Sequence, residues 1–198
     1  MNLKSSETKI NLMRAFAGES QARNRYTFAA AQAEKEGHYA ISTIFSYTAG
    51  QEKEHAEIFL GLLSPVAGET VAADGTYPVD IAPGCAELLR MAQHNEYEEY
   101  DDVYKAFAET AKSEGFDSIA ATFNMIAKIE KTHGDRFGRF AELLSSGKLY
   151  VSDVKASWVC LNCGHVYSGT SVPQKCPVCN HDRGYFIRIE LSPYEGAL

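Results

Sequence analysis

Two Glu-x-x-His pairs occur in this chain in matching register: Glu52 with His55, and Glu130 with His133. On a helix, residues three apart share one face, with Cβ atoms roughly 5–6 Å apart. Each pair can therefore aim a carboxylate oxygen and an imidazole nitrogen at one point. A single Glu-x-x-His says little, because both residue types are common on solvated helix faces. Two copies in register imply a site with another half.

That half is present. Glu19 precedes the first pair, and Glu96 precedes the second by an interval longer by a single position. The chain thus reads Glu, Glu-x-x-His, Glu, Glu-x-x-His, the ligand constellation of ferritin-like di-iron carboxylate bundles. Glu99 shares a face with Glu96, whereas the matching first-half position is Ala22. The candidate ligands are therefore five carboxylates and two imidazoles, arranged asymmetrically. That donor set suits iron or manganese, and affinity alone leaves zinc open.

Hydrophobic spacing places these residues on four helices. The first is predicted over about 6–36, with Leu12, Ala15, Glu19, Ala22, Arg23 and Tyr26 on one stripe and Gly37 as its stop. The second covers about 38–63, with Ile44, Thr48, Gln51, Glu52, His55, Phe59 and Leu62 inward. The third is read as one uninterrupted helix over about 85–114, closed by Gly115. The fourth starts at a cap on Asp117 or Ser118 and ends before Gly147. Its seam is Phe123, Ile126, Glu130, His133, Phe137, Ala141 and Leu144, so the second pair sits inside an apolar stripe. A bare carboxylate is costly there unless something pairs with it. Residues 64–83 hold Pro65, Pro78 and Pro83, too long for a tight turn and too broken for a helix. The expected fold is mainly α: a ferritin-like four-helix bundle with one long crossover in residues 1–147.

After a linker over 148–157, residues 158–198 are read as a separate small metal domain. Cys160-x-x-Cys163 and Cys176-x-x-Cys179 make a four-thiolate site, and Gly164 allows a tight turn beside sulfur. The spacing permits Zn²⁺ or a single iron. Cys85 opens the third helix and is read as a small buried residue. His38, His94, His165 and His181 lack partners at ligand spacing and are read as surface or turn residues, and Trp158 as core of the small domain.

The net charge of −7 falls within the first 150 residues, since residues 151–198 balance four basic against four acidic side chains. An acidic chain without a basic patch argues against nucleic acid or an anionic membrane as partner. No apolar run is long enough for a membrane span, and the first residues show no signal-peptide pattern. With cysteines spaced for metal, this reads as a protein of a reducing, cytoplasmic compartment.

The motifs resemble those of the rubrerythrin family over nearly the whole chain. Ala15-Phe-Ala-Gly-Glu19-Ser-Gln-Ala-Arg-Asn-Arg-Tyr26 is similar to that family's first-helix signature. Gln51-Glu-Lys-Glu-His55 and Glu96-Tyr-Glu-Glu99 resemble its second and third helices, and the paired cysteines its rubredoxin-like tail. The resemblance implies a di-iron site in the bundle and one Fe(Cys)4 centre in the tail. It implies a cytosolic peroxidase that reduces hydrogen peroxide to water. Electrons would come from a donor protein, a rubredoxin or a reductase using reduced nicotinamide. By family pattern Glu52 and Glu130 bridge the irons, Glu19 and Glu99 serve one, and Glu96 and His133 the other. His55 would replace Glu99 in the reduced site. Tyr26 and Tyr104, two turns beyond Glu19 and Glu96, could hydrogen-bond ligands or peroxide, and Tyr26 joins Glu99 and His55 as a catalytic candidate. The resemblance further implies a homodimer or larger homo-oligomer, the tail of one subunit serving the bundle of another. Iron storage by the same bundle would leave the tail without a purpose, and a zinc-ribbon adaptor would leave the buried ligand stripe unexplained.

Overall fold

The computed structural model describes residues 2–194. Met1 and residues 195–198, the last of the predicted small domain, lie outside the described residues. Helices α1 (Glu7–Lys35) and α2 (Tyr39–Leu62) form one antiparallel pair, with Gly37 at φ +76° in the turn. The opposite pair is α3 (Cys85–Glu98) continuing into α4 (Tyr104–Ser113), packed on α5 (Asp117–Ser145). Gly115, at φ +78°, turns the chain between α4 and α5. Both turns need a left-handed residue, which glycine adopts without a Cβ clash.

The repeat extends to the turns. Glu36, just past α1, accepts the Cys85 backbone N–H at the start of α3 at 3.0 Å. Its counterpart in the second half, Glu114, accepts the Glu7 and Thr8 backbone N–H groups at the start of α1, at 2.9 and 2.8 Å. Each turn glutamate thus satisfies orphan N–H groups of the other pair, and its negative charge faces a positive helix end. This locks the two hairpins together at both ends of the bundle.

Three details of the bundle depart from the sequence expectation. The third helix is not uninterrupted: Glu99–Val103 forms a π-helical turn between α3 and α4. The fourth helix takes no side-chain cap from Asp117 or Ser118, because Phe116 stands at its N-cap. Arg23, placed on the inward stripe by spacing, is exposed. The crossover begins with a single 3₁₀ turn (Ser64–Val66) and then runs irregularly to α3. Arg14 ties it to α1 through Asp74 at 2.7 Å, and Arg25 through Asp80 at 3.2 Å.

The tail is a three-stranded antiparallel sheet, order β2-β1-β3, from β1 (Val151–Cys160), β2 (Val166–Ser171) and β3 (Phe186–Arg188). Residues 151–157, read as linker, form most of β1. The pairing of Val151, Ala156 and Ser157 with β2 explains this, since the ladder satisfies backbone that a free linker would expose. Trp158 is fully buried and donates its indole N–H to the Gly169 carbonyl at 3.1 Å. The tail shares one apolar core with the bundle, in which Trp158 and Phe186 join Ala33, Ile41 and Phe140. At the joint, Tyr185 stacks on Tyr39 with centroids 4.1 Å apart. Gly184 passes so close that a Cβ there would lie 1.8 Å from the Gly37 carbonyl oxygen.

Candidate metal centres

The bundle brings six of the seven sequence-predicted ligands together. Glu19, Glu52, His55 and Glu130 form one group, and Glu52, Glu96, Glu130 and His133 form a second, each with ligand atoms within 4.8 Å of one another. Glu52 and Glu130 belong to both. All six side chains are buried. Helices α1, α2, α3 and α5 supply them.

His55 Nδ1 lies 2.9 Å from Glu130 Oε1 and 3.1 Å from Glu52 Oε2. His133 Nδ1 lies 2.8 Å from Glu130 Oε2 and 3.0 Å from Glu52 Oε1. Ligand atoms about 2.1 Å from one ion and at right angles are roughly 3.0 Å apart, so these spacings are those of a coordination sphere. The orphaned atoms agree. Glu19 Oε2, Glu96 Oε2 and His133 Nε2 are buried without a hydrogen-bond partner among the described residues, and Glu52 Oε1, both Glu130 oxygens and His133 Nδ1 meet only the ligand atoms named above, without hydrogen-bond geometry. Burying that many unpaired polar atoms is prohibitive unless cations collect them.

The electrostatics show the same demand. Burial first, and then the neighbouring carboxylates, holds Glu19 well above the ordinary carboxylate range. Burial and Glu52 push Glu96 up to about 8. Burial would lift Glu52 too, but His133 and His55 draw it down to about 2. Burial would lower His133, and Glu52, Glu130 and Glu96 raise it to about 12 instead. Protons on imidazole and carboxyl thus supply positive charge that a metal pair would replace. The residues fit the group: Glu19, Glu52, His55 and Glu130 would hold one iron, and Glu52, Glu96, Glu130 and His133 the other.

Glu99 is the ligand candidate left outside both groups. It opens the π turn, is half-buried, and lines a cavity beside the site. One extra residue per turn rotates the following helix, and π turns often mark functional positions. No residue pattern in the sequence announces this one.

The two tyrosines have partners that spacing along one helix does not reveal. Tyr26, on the helix of Glu19, donates its O–H to Glu96 Oε1. Tyr104, on the helix segment that follows Glu96, donates to Glu19 Oε1. Each crosses the bundle to the ligand of the opposite helix pair. Both are buried, and each fixes one carboxylate oxygen so that the other stays available.

In the tail the four cysteines form a single group. Cys160 and Cys179 have Sγ atoms 3.8 Å apart, and Cys163 and Cys176 3.7 Å. A tetrahedron of sulfurs about 2.3 Å from an ion has edges of roughly 3.8 Å. Gly164 and Asn180 each follow a Cys-x-x-Cys pair at positive φ, +76° and +61°. Asn180, which tolerates the left-handed region, is the counterpart that motif spacing does not single out. The His181 backbone N–H holds the Cys179 thiol down at about 6, whereas burial pushes Cys160 up to about 12.

Cys85 is fully buried, as its place at the start of α3 suggests. His94 is exposed beside Glu98. His181 packs edge-on against Tyr185, centroids 4.9 Å apart. His38 is not a plain surface residue: its Nδ1 lies 2.9 Å from the Tyr150 hydroxyl at the joint of bundle and tail. None of the described helices is long and apolar enough to cross a membrane.

Comparisons with known proteins match this arrangement. A family model described as rubrerythrin covers residues 11–141, and one described as rubrerythrin, rubredoxin-like domain covers residues 158–187. The chain is similar to a rubrerythrin from Clostridium perfringens, 42% identical over 93% of this chain and 95% of that one. It is 43% identical to a rubrerythrin from Porphyromonas gingivalis, over 93% of this chain and 91% of that one. The solved structure of partially reduced nigerythrin matches with a TM-score of 0.63 at 26% identity, over 93% of this chain and 86% of that one.

Proposed function

The chain belongs to the rubrerythrin family, and from that premise we propose that it reduces hydrogen peroxide to water in the cytoplasm. Electrons would pass from a nicotinamide-linked donor protein through the tail centre to the bundle site. The carrying observation is the pairing, in one chain, of two buried four-ligand groups that share Glu52 and Glu130 with a four-thiolate tail site. When bound, a pair of ferrous ions would supply the two electrons that peroxide cleavage requires. The chain's own part is to hold the carboxylates, exclude water and position the acids. Tyr26 and Tyr104 keep their protons on Glu96 and Glu19, orienting both.

Glu99 and His55 would alternate at the Glu19 side of the site. His55 lies inside its group while Glu99 faces the cavity, the arrangement this exchange assigns to the reduced protein. Ala22 at the matching position leaves the Glu96 side with no second carboxylate to exchange.

A homodimer or larger homo-oligomer is part of this proposal. Thirteen residues of α2 separate Tyr39, at the tail joint, from Glu52, so about 20 Å of helix lies between the joint and the bundle site. The tail of a second copy would approach the bundle site more closely. Mixing subunits lacking tail cysteines with subunits lacking Glu52 should restore turnover, and a monomer with full turnover would remove this part of the reading. The main test is an anaerobic visible spectrum with metal analysis, followed by peroxide turnover with a nicotinamide-linked donor. A zinc-filled tail, or ferrous protein that peroxide does not oxidise, would overturn the proposal.

A further inference from the structure

A cavity of about 360 Å³ lies between α1, α4 and the crossover, and Glu99 is in its wall. One water occupies roughly 30 Å³ of liquid, so this space is about twelve times what a water takes. Hydrogen peroxide, with two oxygens, needs little of it. The volume is instead at the lower end of the range for small organic ligands.

The lining has a direction. Ala15 and Tyr104 at the floor are buried, and Thr76 at the mouth is exposed. Tyr77 and Phe107 make the side walls apolar. The inner end is polar: Glu99, and Tyr104 with its hydroxyl on the ligand Glu19. Arg25 also lines the space, but Asp80 at 3.2 Å already neutralises it, and Asp80 accepts from Asn95 at 2.7 Å. Arg14 and Arg25 stand against Glu98 and Glu99 in the lining, which therefore sums to zero charge and suits a neutral ligand. The crossover wall is held in place by the Arg14–Asp74 pair and by the Tyr77 hydroxyl, which donates to the Arg14 carbonyl at 3.2 Å.

We propose that this cavity binds the apolar body of a neutral, compact organic hydroperoxide, which the bundle site reduces to the alcohol. This rests on the peroxidase reading above and extends its substrate class. The balance is that of hydrogen peroxide. The O–O bond breaks, two electrons enter from the nicotinamide-linked donor, and the alkoxide and hydroxide each take up a proton, one released as the reduced nicotinamide is oxidised and one from the solvent's H⁺. One alcohol and one water leave. The apolar walls remove hydrocarbon surface from water, and the Glu99 end receives the hydroperoxide.

The probes are cumene hydroperoxide as substrate and 2-phenyl-2-propanol, its alcohol, as an unreactive ligand. Gly18→Leu fills the cavity from α1. A Cβ at Gly18 meets only the Tyr77 ring, at 3.7 Å, an ordinary contact, and leucine favours the helix. Val103→Phe fills it from the opposite wall. Ligand-observed NMR on the full chain should show the alcohol binding to the wild type and not to either variant. The ratio of kcat/KM for cumene hydroperoxide over hydrogen peroxide should fall about tenfold or more in both variants. Wild-type protein that reduces hydrogen peroxide, but neither reduces cumene hydroperoxide nor binds the alcohol, overturns this inference and leaves the peroxidase reading standing. A ratio unchanged by both substitutions also overturns it. Protein that reduces neither peroxide overturns both readings.

Discussion

The two metal centres are built in opposite ways. The bundle ligands come from four helix segments spread over more than a hundred residues, and every one of the six grouped side chains is buried. The tail ligands come from two tight turns within twenty residues, and Cys163 is exposed. In the tail, the left-handed residues Gly164 and Asn180 set the cage locally. In the bundle, tertiary packing sets it, through Glu36 and Glu114 at the helix ends and through the crossed tyrosines. A local cage suits a centre that passes single electrons near the surface. A distributed cage can change one ligand without unfolding a turn.

The sharpest way to separate the two is to disable the tail alone. Cys160→Ser or Cys176→Ser should lower donor-linked peroxide turnover by more than about a hundredfold, since even outer-shell changes at metal sites cost 10–100-fold. The chemically reduced bundle should still react once with peroxide at its normal rate. Equal loss in both assays would break the proposed division of labour.

Next in size are the residues that give the bundle its asymmetry. Glu99→Ala should retain two irons, because Glu99 is outside both groups, and should slow reoxidation by peroxide about 10–100-fold. His55→Ala should instead weaken iron binding in the reduced protein. Structures of the oxidised and reduced protein with identical ligands would remove the exchange and leave Glu99 to be explained by the cavity alone.

The third test is mechanical and concerns how the two regions join. Gly184→Ala places a methyl 1.8 Å from the Gly37 carbonyl oxygen, which is backbone and cannot rotate away. Overpacking of this kind costs about 1–3 kcal/mol. The tail should melt ahead of the bundle in the variant, with the iron–thiolate absorption lost first. A single coincident transition at the wild-type midpoint would show that the shared core holds the tail without this contact.

What the sequence made legible follows the same division. Ligands in a fixed spacing, such as Glu52 with His55 or Cys160 with Cys163, could be read because a helix or a turn fixes their geometry locally. The turn glycines could be read for the same reason. Three features could not. Tyr26 reaches Glu96 rather than Glu19 because of how the helix pairs pack, which no local spacing encodes. The π turn at Glu99 adds one residue to a pattern that reads equally well as α. Residues 151–157 look like a linker, yet become a strand because β2, after the first Cys-x-x-Cys turn, returns to pair with them.

The smallest expected effect lies at the joint itself and sharpens the comparison by adding pH. His38 stands half-buried between bundle and tail, with Tyr150 at 2.9 Å. Burial lowers its pKa; Glu36 opposes that and Arg183 adds to it. The sign follows from linkage. As pH falls through the ordinary histidine value of about 6.5, the unfolded chain gains a proton that the folded chain refuses. Stability is therefore lost on acidification, and the loss levels off below the lowered folded value. Glutamine keeps a donor and an acceptor near Tyr150 but does not titrate. The difference in melting temperature between wild type and His38→Gln should shift in the variant's favour between about pH 7.5 and pH 5. Taking the difference cancels the proton linkage of the iron ligands, which both proteins share. A pH-independent difference would mean that His38 titrates alike in the folded and unfolded chain, and that the joint carries no proton linkage through this residue.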